Sequence, residues 1–521
     1  MEIRVTRRRL LLPLLLIVPL TLGAFVWQSE RLRTSIELFS QVVQLVEKTA
    51  LDSLPQDEIY RRAARGLIAE MNDPYAAILS PEELSAFERN SLGNRYAGTG
   101  ITIRSLGGYI TAIRVNPTGP AHEMGLRAGD RIVAVDGESM AGVATDSVSR
   151  LLLGVPGTRV LVTYERAGQP EPTEIGIERA VVRVAAVPYA TLLDDGVGYV
   201  PIQRFNDVAA VDVADAVLRL ERQGAKGFVL DLRGNGGGDL FQSLRMAGLF
   251  LPEGVEIARV QHRGKEPEVY RTEQAPLLPN TPVVVLVDGR SASASEIVAG
   301  SLQDHDRALV VGTRSFGKGL VQTQSRLRSG WAVRLTTGKW YTPSGRSIQS
   351  EHEGLDDGRF VSTDTLANRP MFRSTGGRPI VGGGGVTPDL VVLPDTVSGV
   401  ERALARILGN RVAAMQDAVL EVAREVAGSA DGNPYPIPEH WRSELRTRLV
   451  KAEIMVPDSI WNDAKPVIDR LLAGQVSGLA VGDSAAFLLQ APADLQLRVA
   501  RELILKAGSQ ARLFELASHP G

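Results

Sequence analysis

Residues 282–303 read PVVVLVDGRSASASEIVAGSLQ, and this run decides the fold. Pro282–Asp288, PVVVLVD, is too apolar along its length for a strand with one wet face. It predicts a strand buried on both sides, as in a sheet covered by helices. Gly289-Arg290 turns the chain, and Ala292 to about Gln303 reads as a helix. Ser291, Ser293 and Ser295 therefore stand at a strand-to-helix junction, where the positive end of a helix dipole stabilises a developing oxyanion. Ser293–Glu296 also spells S-x-x-E, a capping box, and a serine in that pattern by itself only caps a helix.

The flanks carry the same texture. Val197–Ile202, Gly227–Leu232 and Arg307–Val311 read as short apolar strands, with an amphipathic helix over Asp207–Gln223. Strands alternating with helices over 185–350 predict an α/β domain. Upstream, TGITIR (99–104), YITAIRV (109–115), DRIVAVDG (130–137) and TRVLVTYER (158–166) are short β runs. Two helical stretches, PAHEMGLRAGD (120–130) and DSVSRLLLG (146–154), interrupt them, which predicts a small β-barrel. Its Gly98-Thr99-Gly100-Ile101 loop offers backbone N–H groups to a terminal carboxylate, and the adjoining strand edge suits an extended peptide. Residues 30–90 read as helices, the second from about Asp57 to Met71 and broken at Asn72-Asp73-Pro74. The run EHEGLDDGRF (351–360) and the tetraglycine Gly382–Gly385 mark 350–385 as an inserted, mobile loop. From Val400 the pattern is helical.

A chain of 521 residues implies two to four domains. Its net charge of −2 gives no support to nucleic-acid binding. With no cysteine, disulfides, thiol catalysis and Cys-ligated zinc are excluded. The six histidines show no H-x-x-x-H pairing, so neither a metal nor a cofactor is expected. At the N-terminus Arg4, Arg7, Arg8 and Arg9 precede an apolar run from Leu10 to Trp27. At about 1.5 Å per residue that helix would measure about 27 Å, close to the ~30 Å hydrocarbon core. The asymmetry predicts export across a bacterial inner membrane, residues 10–27 serving as anchor and the rest on the periplasmic side of the envelope.

A serine nucleophile needs a base, and none of the histidines stands in a context typical of a Ser-His-Asp triad. A buried lysine is the other choice, as in Ser-Lys variants. Lys318 lies in GTRSFGKG (312–319), one residue short of a phosphate-binding loop. Position 319 is Gly where that loop needs Ser or Thr, and LVQTQSRL alternates like a strand instead of opening a helix, so no nucleotide is expected. Gly317 and Gly319 instead let the backbone approach a neighbour closely.

Ser291 to Gln322, with SASASEIVAGSLQD and SFGKGLVQ, resembles the active-site region of the carboxyl-terminal processing peptidases, or tail-specific proteases. These are Ser-Lys serine endopeptidases with a PDZ domain ahead of the catalytic core. The barrel resembles that PDZ domain through Gly98–Ile101 and P-A-x-x-x-G-L-x-A-G-D at Pro120–Asp130. Further matches are Asn72-Asp-Pro-Tyr75, Asp231-Leu-Arg-Gly-Asn-Gly-Gly-Gly238, Tyr341-Thr-Pro-Ser-Gly-Arg-Ser-Ile348 and Val386-Thr-Pro-Asp389. Asn72 stands where the family has Leu, and Leu153 where an Arg is common.

The resemblance implies Ser293 as nucleophile, Lys318 as general base and Gln322 as the residue orienting it. It places the oxyanion hole on the backbone N–H groups of Gly237 and Ala294. It implies a multidomain α/β fold with a ClpP/crotonase-like core, and protein substrates whose apolar C-terminal tails the PDZ groove captures. The expected layout is an anchor over 1–28, a helical region over 29–92, the PDZ domain over 93–182, the protease core over 183–395 and a helical region over 396–521. The last is a candidate surface for an adaptor or a homo-oligomer. A non-catalytic PDZ scaffold is the alternative reading.

Overall fold

The computed structural model describes residues 32–88, 93, 95–350, 352–354, 360–362, 369–394, 398–429 and 434–518. The anchor expected over residues 10–27 lies outside them. Among the described residues no helix is long and apolar enough to cross a membrane. The chain forms two compact units: a smaller one of residues up to Pro81 with 322–336, and a larger one of 82–321 with 337–521.

In the smaller unit the helix Gln56–Ala69 precedes the strand Ala77–Leu79, which pairs antiparallel with Ala332–Arg334. Asn72 adopts φ +53°, and the Asp73 carboxylate accepts the N–H groups of Tyr75 (3.0 Å) and Thr336 (3.3 Å). The Asn-Asp-Pro-Tyr element thus both ends a helix and fastens a strand.

In the larger unit the barrel is as expected. Strands β1 (Ile101–Leu106), β2 (Tyr109–Val115), β3 (Arg131–Val135), β4 (Arg159–Glu165) and β5 (Thr173–Glu178) lie side by side in that order. Helices α1 (Pro120–Glu123) and α2 (Thr145–Leu152) close it over a core that includes Ile110, Leu126, Val148 and Val162. Among the described residues β1 is an edge strand of this sheet, the position at which a further strand can be added.

The sheet that positions the site runs β6 (Thr191–Leu192), β7 (Val197–Pro201), β8 (Gly227–Asp231), β9 (Val283–Val287), β10 (Leu309–Gly312), β11 (Leu390–Val391). From β7 to β11 every pairing is parallel. Because side chains alternate, Val283, Val285 and Val287 of β9 enter one core while Val284 and Leu286 enter another. Helices α3 (Ala209–Arg222), α4 (Leu240–Gly248) and α5 (Ala294–Asp304) contribute to the first core. Every residue of α5 is buried.

The C-terminal region does two jobs. Helices α6 (Gly399–Leu408), α7 (Val412–Val426), α8 (Glu439–Lys451), α9 (Asp458–Asp463) and α10 (Lys465–Ala480) bury a core of their own around Trp441, Leu445, Ile468 and Leu472. This bundle meets the barrel through ion pairs of Arg131 with Glu421 (3.4 Å) and of Arg114 with Asp483 (2.9 Å), the latter in α11 (Asp483–Gln490). Helix α12 (Leu495–Ala507) instead packs Leu497, Ala500 and Ile504 on the sheet, covering its second face together with Leu513 of α13 (Gln510–Ser518).

Within 350–385, read from composition as an inserted, mobile loop, residues 369–385 carry defined pairing. Met371–Arg373 and Pro379–Val381 form a hairpin, and Gly382–Gly385 is packed, with Gly385 N–H on Ile348 O at 2.8 Å. A Cβ on Gly385, at φ +94°, would lie 2.3 Å from Ser315 O. Gly385 serves close backbone approach, which composition alone cannot distinguish from looseness.

Candidate active site

Strand β9 delivers the chain to the serine turn with no slack. Asp288 Oδ1 accepts the N–H groups of Gly234 (2.9 Å), Arg290 (3.0 Å) and Ser291 (3.1 Å). Of the three serines, Ser291 and Ser295 are fully buried and spend their hydroxyls on structure. Ser291 Oγ donates to Leu232 O (2.8 Å) and Ser295 Oγ to Asn235 O (2.9 Å), stitching the helix start to the turn after β8. Ser293, between them, is only half-buried and adopts φ +56°, ψ −113°. That is a costly conformation for a residue with a Cβ, of order 1–3 kcal/mol, and such strain clusters at catalytic turns. Ser293 is the N-cap of α5, and the Glu296 arm of the expected capping box forms, Glu296 Oε2 accepting Ser293 N–H, while Glu296 N–H donates to the Ser293 carbonyl (2.8 Å).

Glu296 does more than cap. Fully buried, its carboxylate accepts four donors: Oε2 takes Ser293 N–H (2.7 Å) and Lys318 N–H (2.9 Å), and Oε1 takes Gly317 N–H (2.7 Å) and Ser315 Oγ–H (2.5 Å). One oxygen therefore joins the backbone at Ser293 to the backbone at Lys318. Burial pushes the Glu296 carboxyl up to about 7, against those hydrogen bonds, which favour its charged form. Two amides of the glycine loop that resembles a phosphate cradle are occupied by this internal anion. Glu296 is the site residue that sequence reasoning underrated: S-x-x-E marks it as a cap and says nothing of a second loop.

The glycines around Lys318 are used for close approach. A Cβ on Gly317 would stand 2.6 Å from Ser350 Cβ and 2.9 Å from Gly385 N; one on Gly319 would stand 2.9 Å from Gln349 N. Lys318 is half-buried, and its carbonyl accepts Trp340 Nε1–H at 3.1 Å. Gln322, in the smaller unit, donates from Nε2 to Thr336 Oγ1 at 3.4 Å.

Gly237, φ +99°, lies against the serine turn: a Cβ there would sit 2.9 Å from Ser293 Cβ and 3.0 Å from Ala294 N. Its own N–H donates to Asn235 Oδ1 (2.9 Å), an acceptor that an oxyanion would share or replace. Ala294 N–H, the first amide of α5, meets no acceptor among the described residues. In the barrel, Thr99 O accepts Ala121 N–H (2.9 Å) and Gly100 O accepts Asn116 N–H (2.8 Å), which fixes the Gly98–Ile101 loop through its carbonyls. Gly98 also bridges to Leu153 after α2. Among the described residues no cluster of metal-ligating side chains occurs.

A strained serine at a helix N-terminus, tied through one carboxylate to the backbone of a glycine-flanked lysine, is the arrangement expected from the resemblance to serine peptidases, and it stands in one chain with a barrel of PDZ strand order. Comparison with known proteins agrees. Residues 196–357 match the model of peptidase family S41, and residues 112–166 that of the PDZ domain. The chain is 35% identical over 331 residues to a carboxy-terminal-processing protease of Bartonella bacilliformis, covering 62% of this chain and 73% of that one. It is 32% identical over 295 residues to the carboxy-terminal processing protease CtpA of Bacillus subtilis, spanning 57% of this chain and 62% of that protein's length. Among solved structures, the photosystem II D1 C-terminal processing protease is similar at 28% identity and TM-score 0.37, over 71% of this chain and 90% of that one. The chain belongs to the carboxy-terminal processing proteases of peptidase family S41, and its named relatives above are bacterial in the two sequence comparisons.

Proposed function

We propose that the protein is a serine endopeptidase that cleaves proteins near apolar C-terminal tails, with Ser293 as nucleophile, Lys318 as general base and Gln322 orienting the lysine. The observation that carries this reading is the Glu296 oxygen shared by the amides of Ser293 and Lys318. Neutral Lys318 takes the Ser293 Oγ proton as Oγ attacks the scissile carbonyl. The oxyanion is received by Ala294 N–H, with Gly237 N–H turning to it from Asn235. Lys318 then protonates the leaving amine, and a water repeats the sequence to free the acyl group. The substrate tail adds to the open edge of β1 with its carboxylate at the Gly98–Ile101 loop. We place the enzyme on the periplasmic side of the envelope, held by residues 10–27.

The test uses protein lacking residues 1–28 and a denatured protein ending in Ala-Ala. Wild type cleaves it, and Ser293→Ala and Lys318→Ala reduce the rate by at least about 10³-fold. Equal cleavage by wild type and Lys318→Ala would remove the dyad. If tail-peptide binding is found without any Ser293-dependent cleavage, the scaffold reading holds instead.

A further inference from the structure

The turn that faces Ser293 is rich in glycine, with φ +70° at Gly234, +99° at Gly237 and +150° at Gly238. Such a segment has little stiffness of its own. Its position is imposed from both ends. Downstream, Asp239 N–H donates to Phe205 O (2.7 Å), and within the turn Asn235 is held by its Nδ2–H on Ile202 O (2.8 Å) and by Ser295. Upstream the hold is Arg233, and its partners come from far along the chain. Nε donates to Asp231 Oδ1 (2.9 Å), and Nη2 to Asp231 Oδ2 (2.6 Å) and Asp494 Oδ2 (2.7 Å). Nη1 donates to Asp494 Oδ1 (3.0 Å) and Gln496 Oε1 (2.9 Å). All five N–H donors of the guanidinium are used, two of them in a fork on Asp494.

Asp494 and Gln496 are themselves fixed. Asp494 caps α12, accepting Leu497 N–H at 3.1 Å, and Gln496 Nε2–H donates to Val392 O at 2.7 Å. Helix α12 is packed on the sheet through Leu497 and Ala500. The clamp is therefore anchored to the same sheet that carries Ser293, but by a helix more than a hundred residues beyond the stretch matched to the peptidase family.

We propose that Asp494, assisted by Gln496, is a positioning residue for the peptidase reaction: it holds Arg233, and through it the Gly234–Gly238 turn, in register with Ser293. The inference rests on Ser293 being the nucleophile. Asp494 takes two of the five N–H donors of a half-buried guanidinium; releasing them leaves that cation under-satisfied and the turn free to shift, and displacements near 1 Å cost about 10²-fold in rate.

The experiment uses the full chain with Asp494→Asn, which keeps a cap acceptor but loses the charge, beside Asp494→Glu and Asp494→Ala. On a tail peptide, kcat for Asp494→Asn falls about 10- to 100-fold with KM within about threefold and the pH profile unchanged in shape, since Lys318 is untouched. Asp494→Glu recovers part of the loss. Hydrogen exchange in the 233–238 segment quickens by about tenfold or more, while α4 keeps its protection. Unchanged kcat and exchange overturn the proposal, and so does a loss shared by every helix together with a fall in melting temperature, which marks a merely structural residue. Should wild type itself fail to cleave, the peptidase reading falls, and the exchange data alone decide whether the clamp holds the turn.

Discussion

Ser291, Ser293 and Ser295 are equivalent in sequence and unlike in place. Two have buried hydroxyls committed to carbonyls, and one sits strained and half-exposed between them. Gly237 is bound to that arrangement sterically. Gly237→Ala adds a Cβ 2.7 Å from Ala292 O at a φ that disfavours any side chain. The expected result is a loss of about 1–3 kcal/mol in urea unfolding and of at least about 10²-fold in kcat. Glu296 gives a pH prediction. Its carboxyl binds a proton more tightly in the folded protein, near 7, than an ordinary glutamate does near 4.5. Its contribution to stability is therefore full below about 4.5 and is lost as pH rises to about 7, by up to about 3 kcal/mol. Denaturant unfolding of wild type against Glu296→Gln across that window should show the slope in wild type only; a parallel pair of curves would contradict the shifted carboxyl.

At the scale of elements, the glycine-rich segments prove to be the close-packed ones. The Lys318 loop, the 348–350 stretch and the tetraglycine approach one another where no Cβ fits. Gly385→Ala, with its Cβ 2.3 Å from Ser315 O, should cost about 2 kcal/mol or more and lower kcat, while tail-peptide affinity, read by titration, stays unchanged because the barrel is not touched. The contact between barrel and bundle is a second element-scale device. Glu421 is paired with both Arg131 and Arg448 and is largely buried. Glu421→Ala leaves two guanidiniums without their common partner and should cost about 1–3 kcal/mol. It should also speed limited proteolysis between barrel and bundle, whereas unchanged cleavage would mean the pairs do not hold them.

For the whole molecule, the C-terminal helices are not an appendage. Val229, Val284 and Leu286 of the central strands are covered by α12 and α13, so a chain ended at residue 394 would expose that face of the sheet. We expect such a chain to lose cooperative unfolding and to bind a hydrophobic dye, checked by circular dichroism and dye fluorescence. A monodisperse, cooperatively folding product would show that the sheet needs only one covered face. Among the described residues, the C-terminal helices dock the bundle on the barrel through Glu421 and clamp Arg233 through Asp494.

By itself the sequence determined the strand-turn-helix units, the barrel, the serine and lysine loops and the family, because each is written in local periodicity or a contiguous motif. It did not show how 369–385 are packed, since glycine content signals permitted backbone geometry and not whether a neighbour exploits it. It was silent on Arg233 with Asp494, separated by 261 positions, and on Glu296 bridging two loops. Such pairings have no local pattern. They exist only once the parallel sheet has set β8, β9 and β10 side by side and laid α12 across them, so that charges distant along the chain come within hydrogen-bond reach in a buried place where only satisfied partners are tolerated.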